Sequence, residues 1–192
     1  VTATPKASAK KKRVPCSQCE RCGGNVGPEY PGVYNAASYG HDECLEFYLK
    51  QNEGKLEWLQ DVREYGTPLH FAAAYGHTEA VKLLIHYGAS PGTRDKSQGR
   101  NSLIYACASN QFNCAAILLE YAPDIIDEID DRGNSALMIT CTYKYLELTQ
   151  LLLSMGANCD IQNAEGLTAC HLASSSQALQ TLHEYGANMY VL

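Results

Sequence analysis

Nowhere in the 192 residues does an uninterrupted apolar run approach the roughly 18 residues that a membrane-spanning helix needs. The opening residues VTATPKASAKKKRVPC lack the apolar core of a secretory signal peptide, so a cytoplasmic and/or nuclear location is the expectation. Catalytic signatures are missing too. The six histidines come with no Ser-His-Asp set, no phosphate loop and no His-Glu metal motif, so no enzyme is expected within these residues. That reading leaves open a catalytic domain elsewhere in a longer protein. Tryptophan occurs once, as Trp58. Charged residues are 19% against 45% hydrophobic, a balance that argues against a disordered chain and for a folded one.

Cysteine is what the chain has in plenty, with nine. Their placement does not read as an extracellular disulfide framework. Cys44, Cys107, Cys114, Cys141 and Cys170 lie in apolar or small-residue helical stretches, where a free thiol behaves as a small hydrophobe in a reduced, intracellular chain. The net charge of −6 is unevenly spread. Residues 1–22 hold Lys6, Lys10, Lys11, Lys12, Arg13 and Arg21 against Glu20, a balance of +5 that leaves −11 for the remainder. A basic leader therefore precedes an acidic body.

The body repeats itself. TPLHFAAAYGH (67–77) is echoed by PGVYNAASYGH (31–41), NSLIYACASNQ (101–111), SALMITCTYKY (135–145) and a shortened TACHLASSS (168–176). The second halves recur as CLEFYLKQN, AVKLLIHYGAS, CAAILLEYAPD, LTQLLLSMGAN and ALQTLHEYGAN. Within one unit, Thr67-Pro68 suits a helix start, because a hydroxyl can accept from orphan N–H groups and proline needs no donor there. Leu69, Ala72 and Ala73 form a small apolar face. Gly76-His77 interrupts the chain, and Val81, Leu83, Leu84 and Ile85 supply a covering second helix closed by Gly88 in a left-handed cap. Neither helix is long enough to stand alone in water, so units must stack into a solenoid.

On these residues the unit resembles the ankyrin repeat, over about residues 31–192. The resemblance implies an all-α solenoid of helix-turn-helix units with β-turn fingers. The expected organisation is a basic disordered tail (1–15), a cysteine-rich leader (16–30) and the repeat domain (31–192), with repeats starting near 31, 65, 99, 133 and 166. The first copy departs, with Pro31, Gly32 and Tyr34 in the Thr, Pro and His slots and an insert EGKLEWLQDVRE after it. The fifth is clipped. Both have the look of end-capping units. Trp58 in the insert reads as a residue laid on the stack or as an exposed anchor.

Ankyrin stacks bind other proteins along a concave groove, and the resemblance implies the same here. The slot before the Gly-His break holds Tyr39, Tyr75 and Tyr143, with Ser109 in the third copy. In the family that slot usually faces the groove, where three tyrosines would anchor a partner; the alternative is packing against the next finger. A second set, Tyr87, Tyr121 and Tyr185, reads as packing at the end of the second helix. The finger DIIDEIDDRGN carries Asp127, Glu128, Asp130 and Asp131 with Arg132 opposing, which favours a partner with a basic segment. Asp131 is the expected turn-capping acid.

At the front, CSQCERCGG sets Cys16, Cys19 and Cys22 at C-x2-C-x2-C spacing and resembles a zinc knuckle. A closed zinc site needs four ligands, and His41 or Cys44 is the nearest fourth. One zinc ion in a leader that recognises the partner, with the stack as a spacer, is the competing reading. The run AKKKRVP resembles a nuclear import signal or a nucleic-acid-touching tail. The acidic body argues against nucleic-acid binding by the stack, and no small-molecule substrate or membrane contact is expected.

Overall fold

The computed structural model describes residues 31–51, 59 and 66–188. The basic tail, the cysteine leader and all of the insert but Leu59 lie outside the described residues, as does Trp58. Within them run ten α-helices in five antiparallel pairs: α1 (Pro31–Tyr39) with α2 (Asp42–Gln51), α3 (Pro68–Ala74) with α4 (Thr78–His86), α5 (Ser102–Ala108) with α6 (Phe112–Tyr121), α7 (Ala136–Tyr143) with α8 (Leu146–Ser154), and α9 (Ala169–Leu172) with α10 (Ser176–Glu184). A 3-10 helix, Pro123–Asp127, follows α6. The first helices pack in the order α1, α3, α5, α7, α9 and the second helices in the order α2, α4, α6, α8, α10, so the expected all-α solenoid is observed.

The letters of the repeat account for the layers. Two slots on the first helices hold only small side chains, Ala36, Ala72, Ala106 and Thr140 in one and Ala37, Ala73, Cys107 and Cys141 in the other, all fully buried. Small residues let successive helices approach closely. Larger aliphatics on the second helices, Leu45, Leu84, Leu118 and Leu152, then cover the row. Each such leucine contributes roughly 1.5–3 kcal/mol by burial.

One slot starts four of the first helices with three cap chemistries. Asn101 accepts through its side chain from the Ile104 N–H at 2.9 Å, and Ser135 from the Met138 N–H at 3.4 Å. At Thr67, the Nδ1 of His70 accepts the Thr67 N–H at 3.0 Å and lies 2.8 Å from its hydroxyl. Thr168 and His171 repeat that arrangement at 3.1 and 2.9 Å. The opposite ring nitrogen of His70 lies 3.0 Å from the Arg100 carbonyl of the next repeat, so one histidine ties two units together.

The break between paired helices requires a left-handed residue. Gly40, Gly76, Asn110 and Lys144 occupy it with φ of 63°, 79°, 57° and 64°. At Gly40 and Gly76 a Cβ would run into the next repeat's His77 ring and Gln111 side chain, respectively. At Gly40 the His77 ring adds a close approach to the positive φ that favours glycine, whereas at Gly76 the contact is the flexible end of Gln111 and φ is the stronger reason.

Between repeats the chain forms fingers. An inward acid or amide folds each one: Asp95 Oδ1 accepts from Ser97 N–H and Gln98 N–H at 3.1 and 2.7 Å, and Asp130 Oδ1 from Arg132 N–H and Asn134 N–H at 3.0 and 2.8 Å. Asn163 Oδ1 does the same for Glu165 N–H and Leu167 N–H at 3.0 and 2.9 Å. The turn-capping acid of the third finger is thus Asp130, 3% exposed, and not Asp131. Adjacent fingers join through Asp131 N–H to Gln98 C=O and Ala164 N–H to Arg132 C=O, each at 2.9 Å.

Candidate partner-binding surface

The tyrosines expected in the groove are the most exposed large apolar side chains of their repeats. Tyr39 is 54% exposed, Tyr75 60% and Tyr143 57%, and Ser109 in the third copy is exposed as well. Burial against a neighbouring finger is therefore excluded for these rings. Because they end successive, mutually packed helices, the tyrosines form a row across the stack. Each has a second ring beside it: His41 at 5.9 Å from Tyr39, His77 at 6.5 Å from Tyr75, and Tyr145 stacked at 5.7 Å on Tyr143. Where Ser109 interrupts the row, Phe112 at the start of α6 is 42% exposed.

Carboxylates run alongside. The first turns of the second helices carry Asp42 and Glu43 in α2, Glu79 in α4 and Glu147 in α8. Opposing them are Lys82, 2.7 Å from Glu79, and Lys144 at the break before α8. Burial pushes the Asp42 carboxyl above its ordinary value, and the Glu79 charge adds to the push, against the pull of His77 and His41. Its buried Oδ1 accepts no hydrogen bond among the described residues.

Tyr143 also lines a cleft of about 560 Å³ between the third finger and the last repeats. Met138, Ile139 and Leu172 form its apolar side, and Arg100, Asp131, Arg132 and Glu165 its charged rim. The finger acids are largely engaged within the protein. Asp131 pairs with Arg94 at 2.9 Å, Asp130 faces Arg100 at 3.5 Å, Glu128 accepts from Asn101 at 2.7 Å, and Asp127 accepts from the Asn158 N–H at 2.8 Å. Arg132 is exposed at the rim. Sequence reading missed Arg94 and Arg100, since neither lies in DIIDEIDDRGN; aligning the finger SPGTRDKSQGRN with it was the available signal.

Burial separates the members of the second tyrosine set. Tyr87 is half-buried against the core, but Tyr121 and Tyr185 are 57% and 51% exposed, so the second tyrosine set does not pack as a set. Cys44 is fully buried in α2 and packs in the core. His41 is half-buried at the first break, where its backbone N–H bonds to the Ala36 carbonyl at 2.9 Å. Cys16, Cys19 and Cys22 lie outside the described residues, and among the described residues there is no cluster of three metal-ligating side chains. None of the described helices is long and apolar enough to cross a membrane.

Stacked helix pairs tied by hydrogen-bonded fingers, with exposed rings at one slot, define a repeat protein of the interaction type. The chain belongs to the ankyrin repeat family: the family model for ankyrin repeats (3 copies) matches residues 33–129 and 122–191. It is 29% identical over 158 residues to transient receptor potential cation channel subfamily A member 1 of Homo sapiens, covering 80% of this chain and 14% of that protein. With the B-cell lymphoma 3 protein homolog of Mus musculus it shares 29% identity over 153 residues, 78% of this chain and 34% of the relative. Synphilin-1 of Mus musculus is 32% identical over 138 residues, 70% of this chain and 14% of that protein. The chain thus spans about a third or less of the length of these relatives.

Proposed function

We propose that the chain is a protein-binding module that holds a partner protein along the tyrosine row and the cleft where the row ends at Tyr143. The observation that carries this reading is the exposure of the same slot, by more than half, in Tyr39, Tyr75 and Tyr143. Large rings more than half exposed across three repeats supply the amphipathic area that dominates interface energetics. A basic segment remains the fitting partner, but for a different reason than the finger acids. Those are held by Arg94, Arg100, Asn101 and backbone N–H groups, whereas Glu43 and Glu147 flank the tyrosines with no ion pair among the described residues.

The test is affinity capture from cell extract with the chain and with its Tyr39→Ala, Tyr75→Ala, Tyr143→Ala variant, helix content being matched by circular dichroism. Partners captured by the first and lost by the second support the reading. Partners retained equally by both would move recognition off the row. A zinc ion in the leader is a separate proposal, supported by the spacing of Cys16, Cys19 and Cys22 alone. Elemental analysis is expected to give about one zinc per chain, lost on replacing the three cysteines by serine.

A further inference from the structure

We infer that the partner segment on the tyrosine row is basic, proline-rich and in the polyproline II conformation, advancing one turn per repeat. The inference rests on the row being the contact surface, as proposed above, and adds the chemistry of its occupant.

Pitch is the first argument. The tyrosines end helices α1, α3 and α7, and Ser109 caps α5, in a series of directly packed neighbours. Packed helices lie about 8–10 Å apart. A partner that meets each equivalent slot with an equivalent side chain must repeat at that distance. Polyproline II rises about 3.1 Å per residue with three residues per turn, so every third residue returns to the same face after about 9 Å. A β-strand returns every second residue, after about 6.6 Å, and falls out of step within one repeat. An α-helix matches only every second turn, at about 10.8 Å, and overshoots further at each repeat. A polyproline II segment instead stays in step from Tyr39 to Tyr143, with residues i, i+3 and i+9 on the rings and i+6 on Ser109.

Hydrogen bonding is the second. Tyrosine hydroxyls at half-exposed rings need acceptors at the interface. The carbonyls of a polyproline II backbone are unpaired and point outward, whereas those of an α-helix are used internally. The paired rings at each station (Tyr39 with His41, Tyr75 with His77, Tyr143 with Tyr145) widen the aromatic surface on which such segments pack.

Charge is the third. Asp42, Glu43, Glu79 and Glu147 outnumber Lys82 and Lys144 beside the row. A cation on a face of the segment adjoining the tyrosine-contacting one would meet this line of carboxylates.

The probe is a fluorescein-labelled peptide of four Pro-Pro-Lys triplets, read by anisotropy against the full chain. Two comparison peptides, of four Ala-Ala-Lys and four Pro-Pro-Glu triplets, hold charge or conformation constant in turn. The Pro-Pro-Lys peptide is expected to bind about tenfold tighter than either, to lose about tenfold with Tyr39→Ala, Tyr75→Ala, Tyr143→Ala, and to be unaffected by Tyr121→Ala, Tyr185→Ala. Replacing Glu43, Glu79 and Glu147 by glutamine is expected to flatten its salt dependence. Equal binding of the Ala-Ala-Lys peptide, no binding of the Pro-Pro-Lys peptide, or indifference to the tyrosine variant overturns the inference. If the tyrosine variant still loses its captured partners while the Pro-Pro-Lys peptide fails, the row stands as a docking surface and the polyproline II occupant alone falls. If the variant changes neither, both fall.

Discussion

At the scale of single residues, His70 shows how one side chain serves a helix start and a repeat junction together. It is 1% exposed, takes the Thr67 N–H on one ring nitrogen and reaches the Arg100 carbonyl with the other. His70→Ala removes two hydrogen bonds of about 1 kcal/mol each and leaves a void, so a loss of about 2–3 kcal/mol is expected in urea unfolding. His171→Ala, at an exposed ring in the last pair, is expected to cost about half as much. The same burial holds the His70 imidazole below its ordinary value, outweighing the Arg100 carbonyl and the Asp95 charge. The folded protein therefore binds fewer protons than the unfolded chain just below about pH 6.5. Stability is expected to be full above that pH and to fall as pH drops through it, with a shallower slope in His70→Gln. An identical pH profile in the two proteins would assign the slope to other groups. Nearby, burial pushes the Asp95 carboxyl up, but hydrogen bonds from Tyr105, Gln98, Arg100 and Ser97 hold it below its ordinary value, so its contribution is lost only at lower pH.

At the scale of elements, the break between paired helices separates what the letters reveal from what they hide. Gly40 and Gly76 announce a left-handed turn in the sequence; Asn110 and Lys144 hold the same conformation without announcing it. A lysine there carries a steric cost of roughly 1–2 kcal/mol that glycine avoids. Lys144→Gly is expected to stabilise by about 0.5–1 kcal/mol, with Asn110→Gly giving less because asparagine tolerates the region. A raised urea midpoint at unchanged slope is the signature, and a lowered midpoint would contradict it. The repeat, its helix pairs and the exposed tyrosine slot were legible because the same letter recurs at the same position. The fingers were less so. Asp130 and Asp131 are neighbours of one type, and only the backbone path turns the first inward and leaves the second to Arg94. Nor could a shared letter reveal that Tyr87 sinks toward the core while Tyr121 and Tyr185 face water, since that depends on what packs over each helix end. The charge balance of the finger was misread for a related reason: its countercharges come from another finger, 30 or more residues away in sequence.

At the scale of the whole molecule, each helix pair is held mainly by the pairs beside it, and among the described residues the first and last pairs each pack on one other pair. The last pair is the weaker case: α9 has four residues, and Ser174 bonds to the Thr142 carbonyl at 3.2 Å where the second repeat uses His77 on the Ser38 carbonyl at 2.9 Å. Stability is therefore expected to be graded along the chain. Leu118 and Leu182 are both fully buried, one in the central α6 and the other in α10. Leu118→Ala is expected to lower the whole urea transition by about 2–5 kcal/mol, because the central pair carries the coupling between both halves. Leu182→Ala is expected to detach only the last pair, producing an early transition that leaves the main one in place. Amide hydrogen exchange checks the assignment: protection in α10 should fall in Leu182→Ala while α3 to α6 keep theirs. Equal loss of protection from α1 to α10 in both variants would mean one cooperative block. The grading bears on binding, because the tyrosine row spans the first, second and fourth repeats and stops short of the weakest pair. A partner seated on that row bridges the first pair, which packs on one other pair among the described residues, to the interior, so its binding should raise exchange protection in α1 and α2 more than in α5.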